Sequence, residues 1–324
     1  MNAHQSALSS RKSEIMLQDP LSAVLNLMEA KAAFAGGLSA AGPWSVHFAA
    51  PDRIKFFALS KGECLFAVEG IEKPFHLKAG DVVVYAARRA FTLATDLALP
   101  SEESSTLFRG RSNIVEIAGG GEFMLFGCHI DLRPSGFELL TERLPPVIHL
   151  AQADGGTERL QWMIAEMVRE TGAAAPGMDT ACSGLAQLMF LHVLREFLPK
   201  AGALDLGWLR AICDARLAPA ITLMHAEPQR SWHLPELANA AAMSRTAFAD
   251  HFKTVSGMAP LAYLTRWRMR LAEKSLRDGN PSIAMLSRQL GYTSEAAFST
   301  AFKRVIGMSP RQYRSDTRKL ETAP

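Results

Sequence analysis

Three kinds of hydrophobic spacing follow one another along the chain. Behind an Asp19-Pro20 start, Leu21, Val24, Leu25 and Met28 recur at helical spacing, which predicts a helix closed by Gly36-Gly37. From Trp44 to His149 the pattern changes to short apolar runs separated by turn residues: WSVHF, IKFFALS, ECLFAVEG, PFHL, DVVVYA, NIVEIA and EFMLFGCHI. Runs of that length and spacing predict a β-sandwich or small barrel. After Leu150 helical spacing returns. Leu160, Ile164 and Met167 mark a helix over 158–170, and Leu185, Leu188, Met189, His192, Val193 and Phe197 mark a longer one over 178–198. Ala201-Gly202-Ala203 then reads as a break, and Pro219 as the start of a further helix.

The last hundred residues contain one unit written twice. With an offset of fifty, Ser244, Ala247, Phe248, Phe252, Lys253, Val255, Gly257, Met258, Pro260 and Tyr263 fall on Ser294, Ala297, Phe298, Phe302, Lys303, Val305, Gly307, Met308, Pro310 and Tyr313. Such self-similarity marks a structural repeat. Ser244 and Ser294 suit an N-cap, where a hydroxyl satisfies a first-turn amide. The apolar residues behind each cap make one buried stripe and leave one free face. Gly257 and Gly307 suit the left-handed residue that stops a helix, and Pro260 and Pro310 suit the start of the next.

A short amphipathic helix precedes each copy: Leu234, Leu237, Ala238 and Ala241 before the first, Ile283, Leu286, Ser287 and Leu290 before the second. Helix, tight turn and second helix with a free polar face make a helix-turn-helix, here at about 234–256 and again at about 283–306. Residues 260–277 read as one continuous helix that fixes the two copies rigidly. Residues 209–314 resemble the DNA-binding domain of AraC/XylS-type transcription regulators. Ser287-Arg288 depart from the small apolar residues that this family places before its Gly-Tyr turn, a departure expected to loosen the second helix pair.

Charge supports a nucleic-acid partner. The net charge of the chain is +3, but from Pro228 onward 15 Lys and Arg stand against 7 Asp and Glu, leaving 20 against 25 in the rest. A basic module beside a mildly acidic one is the electrostatic footprint of DNA binding. Cys64, Cys128, Cys182 and Cys213 have no metal-binding spacing and suggest no disulfide framework, which suits a reducing cytoplasm. No leader-like segment and no apolar run of about 18 residues occurs, so a soluble cytoplasmic protein without membrane contact is expected.

The β-rich part carries a second, less specific resemblance. Residues 77–85, LKAGDVVVY, look like the Gly-Asp hairpin of cupin-type sensor domains that precede AraC-type modules, and the resemblance covers about residues 19–150. Enzymatic cupins hold a metal with a His-x-His pair, a Glu and a later His. Here no such pair exists: Arg88-Arg89-Ala90-Phe91 follows the Gly80-Asp81 strand, and His47, His76, His129 and His149 stand apart. No metal and no cofactor is expected, and the interior reads as a pocket for a small organic effector or as a packed core. Cys128-His129 could be read as an activated thiol, but neighbours on a strand point to opposite faces, so a buried structural thiol is the better reading. A redox pair of Cys64 with Cys128 stays open as an alternative.

These readings give an α+β two-domain architecture: an N-terminal cupin-like β-barrel with a helical linker region, and a C-terminal all-α double helix-turn-helix. The expected boundaries are a tail over 1–18, a sensor domain over 19–200, a DNA-binding domain over 207–315 and a tail over 316–324. In the first recognition helix the resemblance points to Arg245, Thr246, Ala249, Asp250 and Lys253. In the second it points to Ser294, Glu295, Ala296, Ser299, Thr300 and Lys303, with Arg304 beside them. Lys253, Lys303 and Arg304 suit phosphates, and Arg245 suits a bidentate contact to guanine. Asp250 and Glu295 suit cytosine or the orientation of a neighbouring base. Two recognition helices on one rigid module should enter successive major grooves about 34 Å apart.

The family resemblance implies a non-enzymatic, ligand-responsive transcription regulator that binds double-stranded DNA, works with RNA polymerase, activates more often than it represses and forms a homodimer, with residues 158–198 as its interface unless both helices only pack on the barrel. The alternatives are a cupin-type enzyme or DNA-repair protein fused to the same module, or an architectural DNA binder without a ligand.

Overall fold

The computed structural model describes residues 19–109, 114–133, 140–141, 143–154, 157–173, 175–201, 206–279 and 281–321. The expected N-terminal tail over 1–18 and the break at Gly202-Ala203 lie outside them. The chain forms two compact units, one of Met28–Ala203 and one of Leu204–Pro324 together with Met1–Leu27.

In chain order, helix α1 (Pro20–Leu27) precedes β1 (Lys31–Ala40), β2 (Ser45–Phe48), β3 (Ile54–Lys61), β4 (Glu63–Val68), β5 (Phe75–Lys78), β6 (Val82–Tyr85), β7 (Phe91–Ala94) and β8 (Glu102–Glu103). A single turn α2 (Ser104–Leu107), strands β9 (Ile114–Ile117), β10 (Phe123–Asp131) and β11 (Val147–Leu150), and helices α3 (Glu158–Ala173) and α4 (Met178–Lys200) follow. The strands make two sheets, β11-β6-β3-β10-β1-β9 and β5-β4-β7-β2-β8. The expected barrel is therefore not closed. It is a cupin-like arrangement of two sheets over a shared core of Leu38, Phe57, Leu59, Phe66, Tyr85 and Phe91 with their neighbours. Burying each such side chain contributes about 1.5–3 kcal/mol.

Two expectations need correction here. The helix expected to run to Gly36-Gly37 stops at Leu27, and those glycines lie inside β1. Strand β1 pairs antiparallel with β10 and parallel with β9, and a bulge between Phe34 and Gly36 interrupts its alternation. Gly36 takes φ +115° there, which a side chain rarely tolerates. The broken alternation hid the strand. Helix α1 itself, expected with the sensor, packs among the C-terminal helices and buries Leu21, Val24 and Leu25.

The Gly-Asp hairpin is the polar hub of the first unit. Asp81 is buried: its Oδ1 accepts from the Gln152 amide at 2.9 Å, and its Oδ2 accepts from the Lys78 amide at 3.0 Å and lies 2.8 Å from His149 Nε2. A buried carboxylate with that many donors is stabilised rather than orphaned. Helix α4 lies on β1, where Gln187 Oε1 accepts from Ala32 at 2.6 Å and Ser183 Oγ accepts from Phe34 at 3.0 Å.

The second unit is all helical: α5 (Trp208–Cys213), α6 (Ala218–Ala226), α7 (Leu234–Ala240), α8 (Arg245–Ser256), α9 (Pro260–Asp278), α10 (Ile283–Gln289), α11 (Glu295–Ile306) and α12 (Pro310–Glu321). Pro219 sits in the first turn of α6 as expected. The closing tail expected from residue 316 is helix to Glu321, and residues 322–324 lie outside the described residues.

Candidate nucleic-acid interface

The written repeat is a structural repeat. Ser244 Oγ accepts from the Ala247 amide at 3.3 Å and Ser294 Oγ from the Ala297 amide at 3.1 Å, capping α8 and α11. Gly257 (φ +73°) and Gly307 (φ +90°) close them, their amides donating to the carbonyls of Lys253 and Lys303. Helix α9 joins the copies. Tyr263, at its start, meets Phe252 of the first copy, while Met269, Ala272 and Leu276 join Leu286, Phe298 and Phe302 in the core of the second. One helix thus carries both hydrophobic cores, the arrangement expected for residues 260–277.

Burial separates the two faces of each recognition helix. Phe248, Phe252, Phe298 and Phe302 are wholly buried, whereas Arg245, Thr246, Asp250 and Lys253 are exposed and Ala249 is half-buried. On α11 and its cap, Ser294, Glu295, Ala296, Thr300, Lys303 and Arg304 are exposed and Ser299 is half-buried. Helical periodicity puts 246, 249, 250 and 253 on one stripe, and 296, 299, 300 and 303 on its counterpart. The side chains of Arg245, Asp250, Lys253, Glu295 and Lys303 make no hydrogen bond or ion pair with another described residue. Ser294 differs from the rest, because its hydroxyl is engaged in the cap.

The two faces are not copies of each other. The first presents Arg245, Thr246, Ala249, Asp250 and Lys253, and the second Glu295, Ala296, Ser299, Thr300 and Lys303. An arginine fork can read guanine through two parallel hydrogen bonds. Small side chains allow close approach to the groove, and lysines at the helix ends suit phosphates.

A clamp between the copies was not foreseen from the sequence. The segment 228–230 is gripped by Arg268 of α9, whose Nε donates to Pro228 O at 2.5 Å and Nη2 to Arg230 O at 2.9 Å. The same guanidinium lies 5.6 Å over the Tyr292 ring. Burial lowers its pKa from the usual arginine value, and Tyr292 opposes that shift. Gln229 of the gripped segment abuts Gly291 in the turn of the second copy. The departure at Ser287 is also accommodated: its buried hydroxyl donates to Ala284 O at 3.0 Å, so no polar atom is left unpaired.

Among the described residues no group of three or more His, Cys, Asp or Glu could hold a metal ion, and no helix is long and apolar enough to cross a membrane. Burial pushes the Cys64 thiol up to about 12 and raises that of Cys128, so neither carries appreciable thiolate near neutral pH. His129 turns instead toward Arg53 and Asp131.

A two-sheet unit joined to a doubled helix-turn-helix with two open faces defines a DNA-binding regulator with a cupin domain. The family model described as Cupin matches residues 19–198, and the one described as Helix-turn-helix domain matches residues 237–316. A Streptomyces antibioticus protein named as an AraC-like transcription regulator is 38% identical over 91% of this chain and 98% of its own length. The regulator AlkR of Acinetobacter baylyi is 29% identical over 85% of this chain and 92% of its own. The solved DNA-binding domain of AdpA, in complex with a target DNA, is 28% identical over 34% of this chain and 98% of that one, with a TM-score of 0.32. This chain belongs to the AraC family of DNA-binding transcription regulators.

Proposed function

We propose that this chain is an effector-responsive, sequence-specific regulator that acts in the cytoplasm, places α8 and α11 in successive major grooves and recruits RNA polymerase as an activator. Its role is regulatory, not catalytic. The observation that carries this reading is the pair of open recognition faces on two copies sharing α9. A cavity of about 330 Å³ in the first unit supplies a place for an effector. The sensor role falls to the two-sheet unit and the reading of DNA to the helical one.

Arg245 and Lys253 play different parts in this reading, and mobility-shift titrations separate them. Arg245→Ala is expected to weaken the preferred site by about 1–3 kcal/mol and to relax preference at one base position. Lys253→Ala should weaken all sequences alike and lower the salt slope by about one. A uniform loss from Arg245→Ala, with base preference intact, contradicts the assignment.

The reading includes a homodimer formed through α3 and α4. Trp162 is 58% exposed and Leu188 48% exposed, and with Met163 and His192 they line one shallow hollow. Large exposed apolar side chains brought together mark an interaction surface. Because α4 also buries Leu185, Met189, Phe190 and Val193, deleting it would test folding rather than assembly. Trp162→Glu with Leu188→Glu should instead turn a dimer into a folded monomer by light scattering. An unchanged dimer moves the interface elsewhere.

A further inference from the structure

The cavity of the first unit has a chemical character of its own. It opens between the two sheets, and Phe48, Phe57, Phe91 and Phe108 line it. Phe48 and Phe91 stack at 4.7 Å with an 8° tilt, and Phe57 meets Phe91 edge-on at 5.5 Å. Into this apolar space projects Lys55. It lies on β3 two residues before Phe57, so both side chains share the inner face of the strand. Its pairing with Tyr85 and His129 places it at the end of that face.

Lys55 is half-buried and makes no hydrogen bond or ion pair with another described residue. Its strand partner His129 lies instead beside Arg53 and Asp131. Asp131 accepts from Arg53 at 2.8 Å, and Arg53 also reaches His129 at 3.0 Å. Asp52 lies near enough to favour the ammonium, but burial outweighs it and lowers the Lys55 pKa from its usual value. A charged group held against aromatic walls without a hydrogen bond or ion pair is a poor structural device, since the pull of Asp52 does not make up for its desolvation. Ser104 and Ser105 line the same cavity and could donate to an anion.

We propose that this cavity binds a small organic monocarboxylate, its apolar body against the phenylalanines and its carboxylate on the Lys55 ammonium. The volume lies at the low end of the usual range for ligand sites, roughly 300–1,000 Å³, which limits the guest to a compact aromatic or short aliphatic acid. This rests on the effector-responsive reading above and gives it a ligand class.

The test uses the full chain, without DNA, in calorimetric titrations with 3-phenylpropionate and octanoate and with the matched alcohols 3-phenylpropanol and octanol. The acids should bind at least about tenfold more tightly than the alcohols, the worth of one charge-assisted hydrogen bond. Lys55→Met keeps the apolar stem and removes the charge, and should erase that preference. Gly127→Leu is the steric control: Gly127 lines the cavity, and an added Cβ would meet only Gly36 O at 3.7 Å. It should fold and bind neither class. Equal binding of acids and alcohols, an acid preference that survives Lys55→Met, or no binding at all would overturn the proposal. None of these results touches the mobility-shift assays, so failure of the ligand class and failure of DNA recognition are separately visible.

Discussion

Replacing Gly291 by alanine should unfold the second helix-turn-helix and leave at most one box of the DNA site protected. Gly291 occupies φ +77°, where a side chain costs about 1–2 kcal/mol. Its added Cβ would lie 2.2 Å from Gln229 O, 2.8 Å from that carbonyl carbon and 3.0 Å from the Gln229 Cα. All three are backbone atoms, and Arg268 holds the residues on either side through Pro228 O and Arg230 O. The chain can relieve the clash only by breaking the clamp or the turn. A loss of about 3 kcal/mol or more follows. Urea melts and footprints of Gly291→Ala check it together; a wild-type melt would show that the contact with segment 228–230 is dispensable.

Acid should weaken the helical unit through His225. Its ring stacks on Trp267 at 3.7 Å, and its Nε2 lies 2.7 Å from the Tyr263 hydroxyl, while Nδ1 is buried without a partner among the described residues. Burial lowers its pKa from 6.5 to about 3, so the folded chain holds the ring neutral. Between those values the unfolded state takes up a proton that the folded state refuses. Stability therefore falls as pH drops below 6.5, by about 1.4 kcal/mol per unit from this one group, and the fall ends near the folded pKa. About 2 kcal/mol should be lost by roughly pH 5. His225→Leu leaves the Tyr263 hydroxyl unpaired and so lowers stability at neutral pH by about 1–3 kcal/mol, but it should flatten the slope. Urea melts of both proteins across that range read the slope directly; an equal slope in the variant assigns the acid sensitivity to another group.

The sequence revealed most where the rules are local. Caps at Ser244 and Ser294, stops at Gly257 and Gly307 and the stripes of phenylalanine between them are all set by spacing within one helix, and the structure holds each of them. It revealed less where contacts are distant. Asp81 was visible as a hairpin residue, yet its partners Gln152 and His149 lie about seventy positions away. The Arg268 clamp joins residues 38 and 40 positions apart, and no periodicity announces it. Strand β1 was concealed by its bulge and by the alanines and glycines that lack a side chain large enough to mark an inner face. For α1, spacing gave the helix and its buried face but not its neighbours, because an apolar stripe does not say which unit will cover it.

The two turns also differ in a way that spacing alone concealed. The Met243 amide donates to Ala238 O in the first copy and the Tyr292 amide to Ser287 O in the second, an offset of 49 rather than fifty. The second turn therefore holds one more residue before its serine cap. Ala242 takes φ +51° where the second copy has Gly291. An alanine is tolerated at the first turn because its side chain is exposed, whereas the second turn faces Gln229.

Two different recognition faces on one rigid unit should read one asymmetric site. Footprinting of the full chain on its best genomic sites, found by genome-wide occupancy, tests it most directly. Discrete promoter-proximal sites are expected, each with two short protected boxes about one helical turn apart, and base preference concentrated in the box that depends on Arg245. Diffuse occupancy without a recurring sequence, or a single box unaffected by changes in α11, would contradict it.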